Sequence, residues 1–235
     1  MSAPGAIWGV GVGPGDPELL TLKAHRIITT ADVIAYPAPN DGPSLARAIV
    51  ADHLPGGQEE IVIRISMDPR MFPPKDVYAK AAEDIGARAT AGRSVAILCE
   101  GDPFFFGSFM YLFEKLSTRW DMGIVPGVSS MMASAAALQI PLAARNDVVS
   151  VIPATLDEAI IADRLKAADT AVFIKVGRHL GKVRKLLAAA ALTEHAHYIE
   201  RATMTSERKM PLAHMQESTA PYFSMIIVHR RGSVL

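Results

Sequence analysis

The sequence predicts an α/β protein made of two α/β domains, the first built on a mainly parallel sheet. Three observations carry this. Short, continuous apolar runs such as Ser94-Val-Ala-Ile-Leu-Cys99 read as strands buried on both faces. They alternate with segments whose apolar residues recur at helical spacing, of which Asp76 to Ala91, stopped by Gly92, is the clearest. Several strands end in Gly/Pro turns, and a strand–helix alternation of this kind implies parallel pairing.

In order, Ala6 to Val12 reads as the first strand, running into Gly13-Pro14-Gly15-Asp16-Pro17. Leu19 to Thr30 is a helix with Asp16 or Thr21 as candidate caps, and Asp32 to Tyr36 a second strand. Pro37 to Pro43 is too rich in proline for helix or sheet interior. Ser44 to His53 is an amphipathic helix, Glu60 to Ile65 a third strand, and Met67 to Pro74 an irregular loop. After the helix over Asp76 to Ala91 comes the strand Ser94 to Cys99, closed by Glu100-Gly101-Asp102-Pro103. Three phenylalanines follow, then Tyr111 to Leu116 at helical spacing.

After Trp120 the composition changes, so the domains are expected to span 1–120 and 121–235. Met122 to Gly127 is a short strand and turn, and Val128-Ser129-Ser130 opens a small-residue helix through Ala137. Strands follow near Val148 to Pro153, Thr170 to Val176, His197 to Ile199 and Phe223 to Val228, with helices near Thr155 to Ala168 and Leu180 to Ala190. The last strand suits antiparallel pairing, giving the second domain a mixed sheet.

The bulk properties narrow the function classes. Of 235 residues, 50% are hydrophobic and 20% charged, ordinary for a globular enzyme. The 24 basic and 24 acidic residues cancel, with no long like-charge run, so no nucleic-acid partner is expected. No apolar stretch reaches the ~18 residues that span a bilayer, so no membrane partner is expected. No basic region precedes the first apolar segment, which therefore does not read as a signal peptide. The only cysteine is Cys99; an internal disulfide is impossible, and the cytoplasm is the default location. A cysteine in an apolar strand reads as an inert core thiol.

The Gly-rich first loop is not a dinucleotide loop. The G-x-G-x-x-G pattern begun at Gly9 meets Pro14 where it needs glycine, and begun at Gly11 it meets Asp16. Pro14 and Pro17 remove amide donors, and Asp16 would repel a pyrophosphate. The loop favours a neutral or cationic ligand, or another backbone. There is no G-x-S-x-G elbow. His195 and His197 could share a strand face, but no acidic or cysteine cluster completes a metal site, so no metal is expected. What remains is three Gly/Pro turns after strands: 13–17, 100–103 and 126–130. They present carbonyls and small hydroxyls, which suit a sulfonium or ammonium group in a pocket at a domain interface.

Gly11-Val-Gly-Pro-Gly-Asp-Pro-Glu-Leu-Leu-Thr-Leu-Lys-Ala24 and Glu100-Gly101-Asp102-Pro103 resemble the tetrapyrrole methylases, S-adenosylmethionine-dependent enzymes of corrin and sirohaem synthesis. The resemblance extends over essentially the whole chain. Ala35 to Pro39, Cys99 to Tyr111, Glu200 to Met204 and Ala220 to Ser224 narrow it to members that methylate a meso carbon of the macrocycle. It implies a homodimer of two-domain subunits, with S-adenosylmethionine in the cleft between domains and a tetrapyrrole substrate. By position, the cofactor would meet Pro14, Glu100, Gly101, Asp102, Phe105, Ser129, Ser130, Val176 and Ala202. Val176 stands where family members often have methionine, and Ala202 where they often have glycine.

Methyl transfer to an enamine-like carbon asks the protein mainly for alignment. The proton then lost needs an acceptor, for which no residue is assigned; Asp16 and Tyr36 are the candidates to test. Substrate carboxylates need cations, with Arg64, Arg70, Lys75 and Arg145 as candidates. The rival readings are the same reaction on a cobalt-loaded macrocycle, a macromolecule methylase on this fold, and a non-catalytic tetrapyrrole carrier.

Overall fold

A computed structural model describes residues 5–66 and 75–232; the expected loop 67–74, with Arg70, lies outside them. The chain divides into two compact units, 1–129 and 130–235.

The first unit holds β1 (Ile7–Gly11), α1 (Leu22–Thr30), β2 (Val33–Pro39), α2 (Leu45–Ile49), β3 (Glu59–Ile65), α3 (Lys75–Thr90), β4 (Val95–Cys99), α4 (Phe109–Leu116) and β5 (Met122–Val125). Its five strands are all parallel, in the order β3-β2-β4-β1-β5. The division falls at 129/130 rather than 120/121 because β5 pairs with β1 in this sheet, Ile7 opposite Met122 through Val10 opposite Val125. The change in composition after Trp120 therefore marks an edge strand, not a boundary.

All five residues of β4 are buried, as a central parallel strand requires. Alternate strand residues feed two cores. Ile7, Ala35, Ile63 and Ile97 pack under α3 and α4; Val10, Ile34, Ala96 and Leu98 pack under α1 and α2. Thr21 caps α1, its hydroxyl accepting from Ala24 N–H (3.1 Å), and Ser44 caps α2 the same way from Arg47 N–H (3.2 Å).

The proline-rich stretch after Tyr36 is partly strand, contrary to the expected loop. In β2 the odd-numbered amides face β4, as Val33 N–H donating to Ser94 O (3.0 Å) shows. β4 pairs only with Val33 to Ala35. Pro37 and Pro39 therefore turn their donorless nitrogens to the side β4 has left. Their pairing with β3, opposite Ile63 and Ile65, loses no bond.

The second unit holds α5 (Ser130–Leu138), β6 (Val149–Pro153), α6 (Glu158–Ala167), β7 (Thr170–Ile174), α7 (Leu180–Ala189), β8 (Ala196–Glu200), β9 (Arg208–Pro211) and β10 (Ser224–His229). Its sheet is mixed, in the order β6-β7-β10-β8-β9, with β6 and β7 parallel and the remaining pairs antiparallel. α6 and α7 cover one face over Ile152, Phe173 and Ile226; α5 covers the other over Val172, Ile199 and Ile227. β9, polar and mostly exposed, was not anticipated; it is an edge strand.

Candidate functional site

In the first unit the chain leaves β1 toward the α1/α2 face and leaves β4 toward the α3/α4 face. β1 and β4 are neighbours, so their carboxyl ends form the switch point where open α/β sheets bind ligands. The expected turns 13–17, 100–103 and 126–130 all follow strands that end here.

The three turns are knotted through their main chains. Val12 N–H donates to Cys99 O (2.9 Å), Gly13 N–H to Gly101 O (3.3 Å) and Gly101 N–H to Gly13 O (2.7 Å). The Asp102 carboxylate accepts from Phe104 N–H (2.9 Å) and Gly127 N–H (3.1 Å), tying the second turn to the third. Close approach dictates glycine at 127: a Cβ there would lie 2.1 Å from Gly101 O, and one at Gly11 would lie 2.6 Å from Gly127 N. Five amides are thus spent inside the knot, and Pro14, Pro17, Pro103 and Pro126 have none. The first loop does meet another backbone, and the two alternatives left open by its sequence are compatible. Proline and these internal bonds leave the turns with fewer amide donors than a glycine-rich phosphate loop of the same length would offer.

Of the expected cofactor residues in this unit, Pro14 and Gly101 are buried within the knot, while Glu100, Asp102, Phe105 and Ser129 are half-buried around it. Phe105 stands edge-on to Phe106 (centroids 5.0 Å, 86°). Glu100 also lines a cavity of ≈ 20 Å³, shared with Pro37, Tyr78, Cys99 and Ser108, roomy enough for one water. Burial pushes the Glu100 carboxyl up, opposed in part by hydrogen bonds from the Glu100 and Ala46 backbone. Burial pushes the Cys99 thiol well up, with the Glu100 and Asp102 charges adding to it, so Cys99 is no nucleophile.

The two candidate proton acceptors fare differently. Tyr36 donates its hydroxyl to Glu60, itself gripped by Arg47 (Nη2–Oε1 3.0 Å), and burial and that carboxylate push the phenol up to about 12. A phenol so held stays protonated at neutral pH and accepts no proton. Asp16 accepts from Glu18 N–H (2.8 Å), capping the short turn after the first loop. Among the candidate cations, Arg64 donates to the carbonyls of Pro39 (2.8 Å) and Gly42 (2.9 Å), latching that loop. Lys75 opens α3, on the carboxyl side of β3. Arg145 precedes β6 and lies at the opposite end of its sheet from the carboxyl ends of β7 and β8, which removes it from this group.

In the second unit, β7 and β8 both run antiparallel to β10, so their carboxyl ends meet beside its start. Ala220 N–H donates to Gly177 O (3.0 Å) and Arg201 N–H to Phe223 O (2.8 Å), joining the three loops. Lys175, Arg201 and Thr203 take left-handed backbone angles (φ 55°, 50° and 67°). The side chain of Val176 is wholly buried in the core under α6 and α7, and its carbonyl accepts from His179 N–H (2.6 Å). With no exposed side-chain surface, Val176 offers a ligand its main chain. Ala202, nearly buried, sits between the strained Arg201 and Thr203. Ser130 is exposed and opens α5.

Sequence reasoning missed the polar network at this end. The buried Tyr198 donates its hydroxyl to Glu200, whose other oxygen accepts from Arg201 Nη1 (3.0 Å). Tyr198 and Glu200, two apart on β8, share a face; that spacing was the available signal. At the opposite end His195 Nδ1 lies 3.2 Å from Arg230 O, and burial holds His197 below the usual histidine range. Among the described residues, no group of three or more His, Cys, Asp or Glu gathers as a metal site, and no helix is long and apolar enough to cross a membrane.

Residues 6–215 match the family model described as Tetrapyrrole (Corrin/Porphyrin) Methylases. The chain is 44% identical over 236 residues to the cobalamin biosynthesis protein CobIJ of Mycobacterium tuberculosis, covering 97% of this chain and 46% of that one. It thus spans about half the length of these relatives. It is 39% identical to the precorrin-2 C(20)-methyltransferase of a Sinorhizobium species, over 95% of both chains. It is 33% identical to the cobalt-precorrin-2 C(20)-methyltransferase of Salmonella typhimurium, over 97% of both. The fold matches a Thermus thermophilus uroporphyrin-III C-methyl transferase solved with S-adenosyl homocysteine (TM-score 0.69, 23% identity, 97% of this chain and 99% of that one).

Proposed function

The chain belongs to the tetrapyrrole methylases, and from that premise we propose that it transfers a methyl group from S-adenosylmethionine to the C-20 meso carbon of precorrin-2, in cobalamin biosynthesis. The observation that carries this is the 39% identity to a precorrin-2 C(20)-methyltransferase along nearly the whole of both chains. Two features of the knot support the choice of cofactor: five of its amides are engaged with one another's carbonyls and with Asp102, and Glu100 and Asp102 bring carboxylates to it, which suits a cationic sulfur compound better than a nucleotide phosphate.

S-adenosylmethionine supplies a methyl group already electrophilic enough to react with an enamine-like carbon. Pro14, Glu100, Gly101, Asp102, Phe105, Ser129, Ser130, Ala202 and the main chain at Val176 are the residues proposed to hold it. The chain's task is to fix the bound partners against rotation and to keep water out of the reaction path. Asp102, by clamping two turns, keeps the knot's carbonyls in fixed orientation, and Phe104 to Phe106 supply apolar cover. We read the active form as a cytoplasmic homodimer with neither nucleic-acid nor membrane partner; light scattering of the purified chain tests the dimer.

A second reading, the same methylation on the cobalt-loaded macrocycle, is favoured by the 33% identity to the Salmonella enzyme. Incubation with isotopically labelled S-adenosylmethionine and either metal-free precorrin-2 or cobalt-precorrin-2, followed by mass spectrometry, separates the two. The first reading expects label on the metal-free macrocycle. Label on the cobalt form alone establishes the second, and label on neither removes both.

A further inference from the structure

We infer that Arg201 binds a carboxylate side chain of the substrate, held in place for that purpose by Glu200 and Tyr198. The inference rests on the tetrapyrrole reading above, since it is the macrocycle's acidic side chains that need a cation.

The Glu200 carboxylate is buried, its side chain 8% exposed, and both oxygens are engaged: one by the Tyr198 hydroxyl, the other by Arg201 Nη1. A buried carboxylate at the end of a strand is expensive unless satisfied, and here it is satisfied by a fully buried phenol and a guanidinium. The neighbouring carboxylate pushes the Tyr198 phenol up beyond what burial alone does, so the phenol remains a donor. Tyr198 thereby fixes Glu200, and Glu200 fixes one edge of the guanidinium.

The other edge is turned outward. The Arg201 side chain is 40% exposed, and Glu200 is its only ion-pair partner among the described residues. A guanidinium carries five donors in a planar fork suited to a carboxylate. The backbone carries the same message: Arg201 is left-handed at φ 50°, a conformation that disfavours any residue with a Cβ and that is retained where it sets geometry. Its amide is bonded to Phe223 O, and Phe223 and Tyr222 stand edge-to-face (4.9 Å, 86°) with 42% and 65% of their surface exposed. A half-exposed guanidinium, on a residue whose main chain is bonded to the segment that carries these exposed rings, fits a flat, apolar macrocycle fringed with acids. Because Glu200 offsets much of the charge, Arg201 acts by directed hydrogen bonds more than by bulk attraction.

Glu200 is a positioning residue in this scheme, and Arg201 the contact. The test is fluorescence titration with uroporphyrin and with its methyl ester, alongside calorimetry with S-adenosylhomocysteine. The intact chain is expected to prefer the free acid. Arg201→Ala should weaken uroporphyrin binding at least about tenfold and abolish the preference, with S-adenosylhomocysteine affinity retained. Arg201→Asn, which tolerates the left-handed backbone, should do the same if the alanine variant fails to fold. Glu200→Gln should weaken uroporphyrin binding by a smaller factor. Uroporphyrin binding unchanged in a folded Arg201 variant overturns the inference and leaves the methylase reading standing. Failure of the intact chain to bind either tetrapyrrole strikes at the methylase reading itself.

Discussion

The loops at the carboxyl ends of the two sheets solve one problem in two ways. In the first unit the chain is brought to unusual geometry by residues made for it: Gly127 admits a carbonyl where a Cβ would lie, and Gly101 takes φ 64°. At this end of the second unit Gly177 is joined at positive φ by three ordinary residues, Lys175, Arg201 and Thr203, which pay for that conformation with about 1–2 kcal/mol each, where the corresponding turns of the first unit have only Phe106. There the geometry is held by polar contacts: Glu200 with Tyr198 and Arg201, and Glu207 accepting from Thr203 N–H (2.8 Å). Glycine suits a place where main chain itself is the binding surface. A strained ordinary residue suits a place where its side chain must be aimed.

The sharpest way to break this contrast is Gly127→Ala. A methyl 2.1 Å from Gly101 O has no flexible neighbour to displace, so the variant should lose about 3 kcal/mol or more in urea denaturation, and with it S-adenosylhomocysteine binding. Next comes Asp102→Ala, which strands the Phe104 and Gly127 amides; a loss of about 2 kcal/mol is expected by the same measurement. Glu100→Gln should have the opposite sign. A carboxyl raised by burial binds more protons folded than unfolded, so its contribution to stability declines as pH rises above the ordinary value of 4.5. The variant should therefore be more stable than the parent at pH 7, with the advantage closing as pH falls below that value. The smallest effect is expected at Ala191→Gly, an exposed left-handed position after α7. Relief of left-handed strain and the added freedom of the unfolded chain nearly cancel, leaving stability within about 0.5 kcal/mol. A large loss there would show that left-handed strain in the second unit is smaller than the contrast requires.

The same contrast explains what was legible. Glycine and proline requirements are written in the residues themselves, so the three turns, and the prolines that remove amide donors from them, could be read before any coordinates. So could the buried strand over 94–99 and the antiparallel last strand. Pro37 and Pro39 misled because proline forbids sheet only where a partner needs its amide, and which side β4 abandons is a tertiary fact. β9 was missed because an exposed edge strand of Arg208-Lys-Met-Pro211 has no apolar alternation to betray it. The Tyr198–Glu200–Arg201 network was missed because three ordinary residues carry no mark of burial or strain. The division at 129/130 was hidden because β5 returns to pair with β1 across β4's crossover.

The measurement closest to the central claim is calorimetric titration of the intact chain with S-adenosylhomocysteine and, separately, with adenosine diphosphate. Saturable binding of the thioether compound, lost in Gly127→Ala, with no heat from the diphosphate, is the expected result. Tight binding of the diphosphate, or S-adenosylhomocysteine affinity untouched by Gly127→Ala, would contradict it.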